Sequence, residues 1–153
     1  MARAAIALLA ALALGCATLS VLTAPRIDAC EGPLVPVAQI PGGDFALRER
    51  VRVAGEGVDL GLELLAERRD DRLVVVGFNA FGARVFSLVQ EREQVTQRDE
   101  PLGRALPVPP ENLLRDLHAA RFSAPETPDR VELRRPGCGY TATFVRVEWR
   151  PLP

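Results

Sequence analysis

The chain has one histidine, His118, in 153 residues. A nucleophile needs a base within hydrogen-bond reach, and no Ser or Cys here sits in an elbow of the G-x-S-x-G kind, so no catalytic residue is assigned and an enzyme is not expected. His118 reads as a partially exposed structural side chain beside an apolar helix stripe. One histidine and two dispersed cysteines, Cys30 and Cys138, match no zinc spacing, so no metal site is expected. Excess basic charge is lacking too: Lys plus Arg is 19 against 20 Asp plus Glu. Nothing in that balance attracts phosphate backbones, and nucleic acid is not an expected partner. The "GEG" at residues 55–57 precedes no helix, so it is not a dinucleotide-binding loop, and no cofactor is implied. The paired acids Asp70 with Asp71 and Glu91 with Glu93 fall among mixed charges and read as solvated surface.

What the chain does have is 13 prolines and 12 glycines, which imply many turns and short elements and favour β structure. At the N-terminus, Arg3 supplies a positive start, Ala4 to Leu14 is unbroken apolar sequence, and Gly15 precedes Cys16, the layout of a secretory signal. The tail Leu12–Cys16, "LALGC", resembles the lipobox of bacterial lipoproteins, in which the cysteine is acylated and becomes the mature N-terminus. Ala17 in place of Asp implies, by likeness to enterobacterial sorting, the outer rather than the inner membrane. An uncleaved anchor over residues 4–25 and ordinary cleaved secretion stay open as alternatives. The expected organisation is a signal at 1–15, a lipidated Cys16 with a Pro-rich tether at 16–43, and one domain at 44–153.

With Cys16 consumed by lipid, Cys30 and Cys138 remain, an even pair in a compartment that permits disulfides. A bridge between them or two unpaired thiols are both compatible with the sequence.

Phe45, Leu47, Val51 and Val53 share one parity and Arg48, Arg50 and Arg52 the other, which is a period-2 strand. Val58, Leu60, Leu62 and Leu64 alternate with Asp59, Gly61 and Glu63 and should pair with it as a hairpin. Leu73–Phe78 is apolar on both faces, and Arg84–Val89 and a short Gln94–Arg98 follow as strands. Pro109 and Pro110 suit a helix start, with Leu113, Leu114 and Leu117 inward and Arg115, Asp116 and Arg121 outward. Val131–Arg135 and Tyr140–Trp149 close the chain as a hairpin, with Thr141, Thr143, Val145, Val147 and Trp149 on one side. The fold class is mainly β (α+β): an antiparallel curved sheet or incomplete barrel of six to seven strands with one covering helix.

The unit "LVVVGFNAFGARVFSLV" at 73–89, the helix "LPVPPENLLRDL" at 106–117 and the final Gly139–Tyr140 strand resemble LolB-type outer-membrane lipoproteins. The likeness is to the LolB-like lipoproteins of aryl-polyene biosynthesis clusters. The resemblance implies a lipid anchor in the membrane, an acyl-chain or glycolipid ligand, and a hollow lined by Phe45, Leu47, Val51, Leu60, Leu62, Val85 and Val147. It also implies that Phe81, in the turn "NAFG", meets lipid or a partner, the alternative being an aromatic folded back on the helix. The implied function is to bind or hand over lipid or lipidated cargo at the periplasmic face of the outer membrane. The alternative is a non-catalytic accessory lipoprotein that binds a protein partner of an envelope assembly or export pathway.

Overall fold

The alternation of apolar and charged residues becomes seven strands in a computed structural model that describes residues 25–153 other than Asp99. Cys16 and the signal segment lie outside the described residues. The strands are β1 (Phe45–Gly55), β2 (Val58–Arg69), β3 (Arg72–Phe78), β4 (Arg84–Glu91), β5 (Gln94–Arg98), β6 (Arg130–Arg135) and β7 (Tyr140–Pro151). They form one antiparallel sheet in the order β5-β4-β3-β2-β1-β7-β6, open at β5 and β6 and not closed into a barrel. This is the mainly β architecture expected, with β1 at its heart between β2 and β7.

One helix lies across one face. Pro110 opens α1 (Pro110–Leu117) in the first turn, where a missing N–H costs no bond, and the chain continues through a wider turn, His118–Phe122. Leu113, Leu114, Leu117, Ala120 and Phe122 press onto Phe45, Leu47, Val51, Val53, Leu64, Leu73, Val75 and Leu88 of the sheet. Gly77 lacks a Cβ where the Phe86 ring of β4 lies against it, so the sheet admits that ring into the core. On the other face Val74, Val76, Phe78 and Val89 stay half-buried, so the helix covers one face rather than both.

Three sequence expectations are corrected. First, the tether is, from Pro25 on, part of the folded unit: Val37 and Ile40 are buried and Ile27, Leu34 and Val35 pack on the core. Side chains hold this strap, with Asn112 Oδ1 accepting from Cys30 N–H at 2.9 Å and Arg115 donating to Gly32 O at 2.7 Å. Second, Asp116 and Arg121 face inward and are buried, because strap, sheet and the chain before β6 enclose the helix on several sides. Third, the row from Thr141 to Trp149 is broken. Arg48 lies opposite Glu148 but Glu49 opposite Arg146, which leaves Val147 as a bulge. The extra residue reverses the alternation, so Trp149 comes opposite Leu47 and stacks on Phe45 with ring centroids 4.2 Å apart.

Cys30 and Cys138 form a disulfide, with Cα atoms 5.9 Å apart across a sequence separation of 108. It ties the strap to the turn between β6 and β7. Closing so long a loop removes chain entropy from the unfolded state, so Cys30→Ser with Cys138→Ser should lower stability by roughly 3–5 kcal/mol in urea titrations. Wild type under reductant should match the double variant, and a loss below about 1 kcal/mol would contradict the expectation.

A candidate docking notch at one end of the sheet

The residues proposed to line a hollow do not surround one. Phe45, Leu47, Val51, Leu62 and Val85 are each 6% exposed or less. A lumen wide enough for an acyl chain leaves its walls accessible to a water-sized sphere, and these walls are closed by neighbouring side chains. Leu60 is half-buried, and Val147, on the bulge, is 39% exposed and lines no interior.

Several buried polar groups are held by partners inside the fold. Glu49 has the inward parity of Phe45, Leu47, Val51 and Val53, and its carboxylate takes Arg121 Nε at 2.5 Å and Nη2 at 3.0 Å. Burial pushes the Glu49 carboxyl up and the guanidinium opposes that push. Asp116 is likewise raised by burial against the Tyr140 hydroxyl, which donates to it at 2.7 Å, and Arg135 at 3.3 Å. His118 is fully buried rather than partially exposed, and its Nδ1 accepts the Val35 N–H at 3.0 Å. Sequence reading missed Glu49, although its place in an apolar row was the available signal. No local pattern names Arg121, 72 residues away, as its partner.

An open surface lies at the end of the sheet where β1 turns into β2. β3 pairs with Glu63–Arg69 only, so Val58–Leu62 of β2 is bonded to β1 on one side and to no strand on the other. The turn from β3 to β4 therefore stops five residues short of the hairpin tip, which at about 3.4 Å per residue is about 17 Å. The resulting notch, of about 690 Å³, is floored by Gly61, Leu62 and Val51 and flanked by Leu65, Phe78, Arg48 and Arg50.

Phe81 stands at its rim, 94% exposed, and is not folded onto the helix. The turn that carries it is tightly built: Asn79 Oδ1 accepts the N–H groups of Phe81 and Ala83, both at 3.0 Å, and Gly82 adopts a φ of +74°. Leu102, 51% exposed, belongs to a 3-10 turn (Pro101–Ala105) packed on β4, and Arg84–Glu100, at 2.9 Å, links the two segments. The strap starts at this end too, since a Cβ on Gly57 would come within 2.8 Å of Pro25 Cγ. Among the described residues no helix is long and apolar enough to cross a membrane.

The His118 environment carries a pH consequence. Burial, with Arg115 adding, pushes its pKa down from 6.5 to about 4, so the unfolded chain binds a proton there before the fold does. The stability it contributes is complete above pH 6.5 and is lost as pH falls toward 4. Glu49 and Asp116, raised by burial, work in the opposite direction, so the comparison must be between variants. Between pH 7 and 5, wild type should lose on the order of 2 kcal/mol more than His118→Gln, which keeps an acceptor for Val35. Equal pH slopes in the two proteins' denaturant midpoints would refute this.

No curated protein matches the chain. Residues 46–139, more than half of it, match the family described as "Protein of unknown function (DUF3261)" and run from β1 through the turn that holds Cys138. By that match, the chain belongs to the DUF3261 family.

Proposed function

We propose that the protein is a lipid-anchored, non-catalytic protein of the periplasmic face of the outer membrane, which seats one end of its sheet on the bilayer and binds a protein partner of an envelope assembly or export pathway there. The observation that carries the reading is the convergence of Pro25 and the rigidly presented Phe81 at that one end. Cys16 precedes Pro25 by nine residues, a reach of at most about 30 Å, so an acylated Cys16 would hold this end near the headgroups. An aromatic standing out of a built turn is what an interface with lipid tails or a partner favours.

The open antiparallel sheet with one covering helix is compatible with a LolA/LolB-like relationship for the family, and we carry that relationship as part of the proposal. The closed-off interior favours partner binding over an enclosed lipid cargo, because an acyl chain or glycolipid would be left the surface notch rather than a lumen.

The test uses the full chain produced in a bacterial envelope. Wild type should take up radiolabelled palmitate and sediment with outer membranes, and Cys16→Ala should do neither. In proteoliposomes of brominated phosphatidylcholine, the fluorescence added by Phe81→Trp should be quenched by more than half, while Trp149, at the opposite end of β7, should not be. Absence of label in wild type would remove the anchor. Label without quenching at position 81 would remove the membrane seat.

A further inference from the structure

We infer that the unpaired half of β2, Val58–Leu62, is a docking edge for an extended, acid-bearing polypeptide strand of a partner protein. The inference names the partner class for the function proposed above, but it stands on the sheet itself and not on lipidation.

In an antiparallel ladder alternate residues direct their N–H and C=O groups to one side, so a strand bonded on one edge presents a row of donors and acceptors on the other. Val58–Leu62 has β1 on one side only. The sheet's two outer edges are guarded against new pairing: β5 is five residues of mostly polar sequence, QVTQR, and β6 reads RVELRR, with charges at Arg130, Glu132, Arg134 and Arg135. Short length and charge are the usual protections of an edge. The free half of β2 is also five residues long, but it continues a twelve-residue strand, its sequence is VDLGL, and its one charge, Asp59, is held by Arg52 at 2.9 Å.

The notch next to this edge has the form of a strand's seat. The free edge, about 17 Å long, fits five residues of extended chain, and the notch lies at its inner end between Gly61, Leu62 and the β3–β4 turn residues Phe78, Asn79, Ala80 and Gly82. A Cβ on Gly61 would touch nothing within 4 Å, so there is room above the edge for a side chain of the incoming strand. Arg48 is already engaged by Glu63 at 2.8 Å, while Arg50, two residues on along the same face and opposite Glu63, attracts that carboxylate without a hydrogen bond and keeps its own donors unused among the described residues. A carboxylate entering over Gly61 meets Arg50, and an apolar side chain two residues away meets Leu65 and Phe78. Backbone pairing supplies the affinity and the side-chain seats the selectivity, which is the physics of strand addition.

The experiment screens a phage-displayed library of random dodecapeptides against the purified protein in detergent-free buffer, without membranes. Failure here is thereby separable from failure of the membrane seat, which the brominated vesicles read. Enriched peptides should alternate apolar and polar residues and carry an acid. On saturation they should slow exchange of the alternate amides of Val58–Leu62 that do not bond to β1 at least ten-fold. Gly61→Arg, which fills the space above the edge without disturbing the backbone, should weaken binding at least ten-fold. Arg50→Glu should do the same and be rescued by peptides with Lys in place of the acid. Glu132→Arg on the β6 edge should change nothing. Three results would overturn the inference: no enrichment above an unrelated β-rich protein, bound peptides that protect another edge, or protection, in the protein alone, of the alternate amides of Val58–Leu62 that do not bond to β1. Protection brought about by phosphatidylcholine vesicles alone would assign the edge to lipid and overturn it as well.

Discussion

Arg121 is engaged through all three guanidinium nitrogens inside the fold. Nε and Nη2 donate to Glu49, Nη2 also to Asp129 O at 2.8 Å, and Nη1 to Pro128 O. One side chain at the end of the helical run thereby fixes three things: the middle of the central strand, the last turn of the helix, and the chain as it enters β6. The wider helical turn at His118–Phe122 is what brings Arg121 and Phe122 inward together, and such turns depart from regular helix where side chains demand it. Removing one ion of a buried pair leaves the other unpaired at a cost of about 3–5 kcal/mol, so the arrangement tolerates neither residue alone being apolar.

The same pair bears on function. A single helical run has to cover the inner face of seven strands, and it does so only because the strap from Pro25 to Ile40 fills in beside it. Asn112, Arg115, His118 and Gln90 hold the strap by its backbone, and the Cys30–Cys138 disulfide holds its start. With strap, helix and sheet pressed together, the inner face is occupied by the protein's own Phe, Leu and Val side chains. Open space is therefore at the surface, and the exposed Phe81 and Leu102 and the unpaired half of β2 lie toward one end of the sheet.

Much of the fold was legible because a sheet with one buried face prints its alternation into the sequence. β1, β2 and the β6–β7 hairpin could be read from parity, β3 and β4 as apolar runs either side of a turn, and the helix start from Pro109 and Pro110. The rest failed for identifiable reasons. A one-residue bulge at Val147 has no local signature, yet it moves Trp149 to the other face. The strap has no period, because side chains from 28 to 104 residues away hold it and no ladder does. Asp116 and Arg121 looked outward-facing because charge usually is, and their partners Tyr140 and Glu49 belong to strands far along the chain. The open half of β2 follows from β3 being shorter than β2, a difference in pairing that no single strand's sequence reveals.

The central claim is that the interior is filled and that binding takes place on the outside. Native mass spectrometry of the protein extracted from its host envelope tests it most directly, alongside thermal melts of Leu62→Trp. The account predicts the mass of the polypeptide with its covalent modification and no retained lipid, and a Leu62→Trp protein destabilised by about 1–3 kcal/mol through overpacking. A non-covalently held lipid in wild type, displaced in a Leu62→Trp protein of undiminished melting temperature, would contradict it.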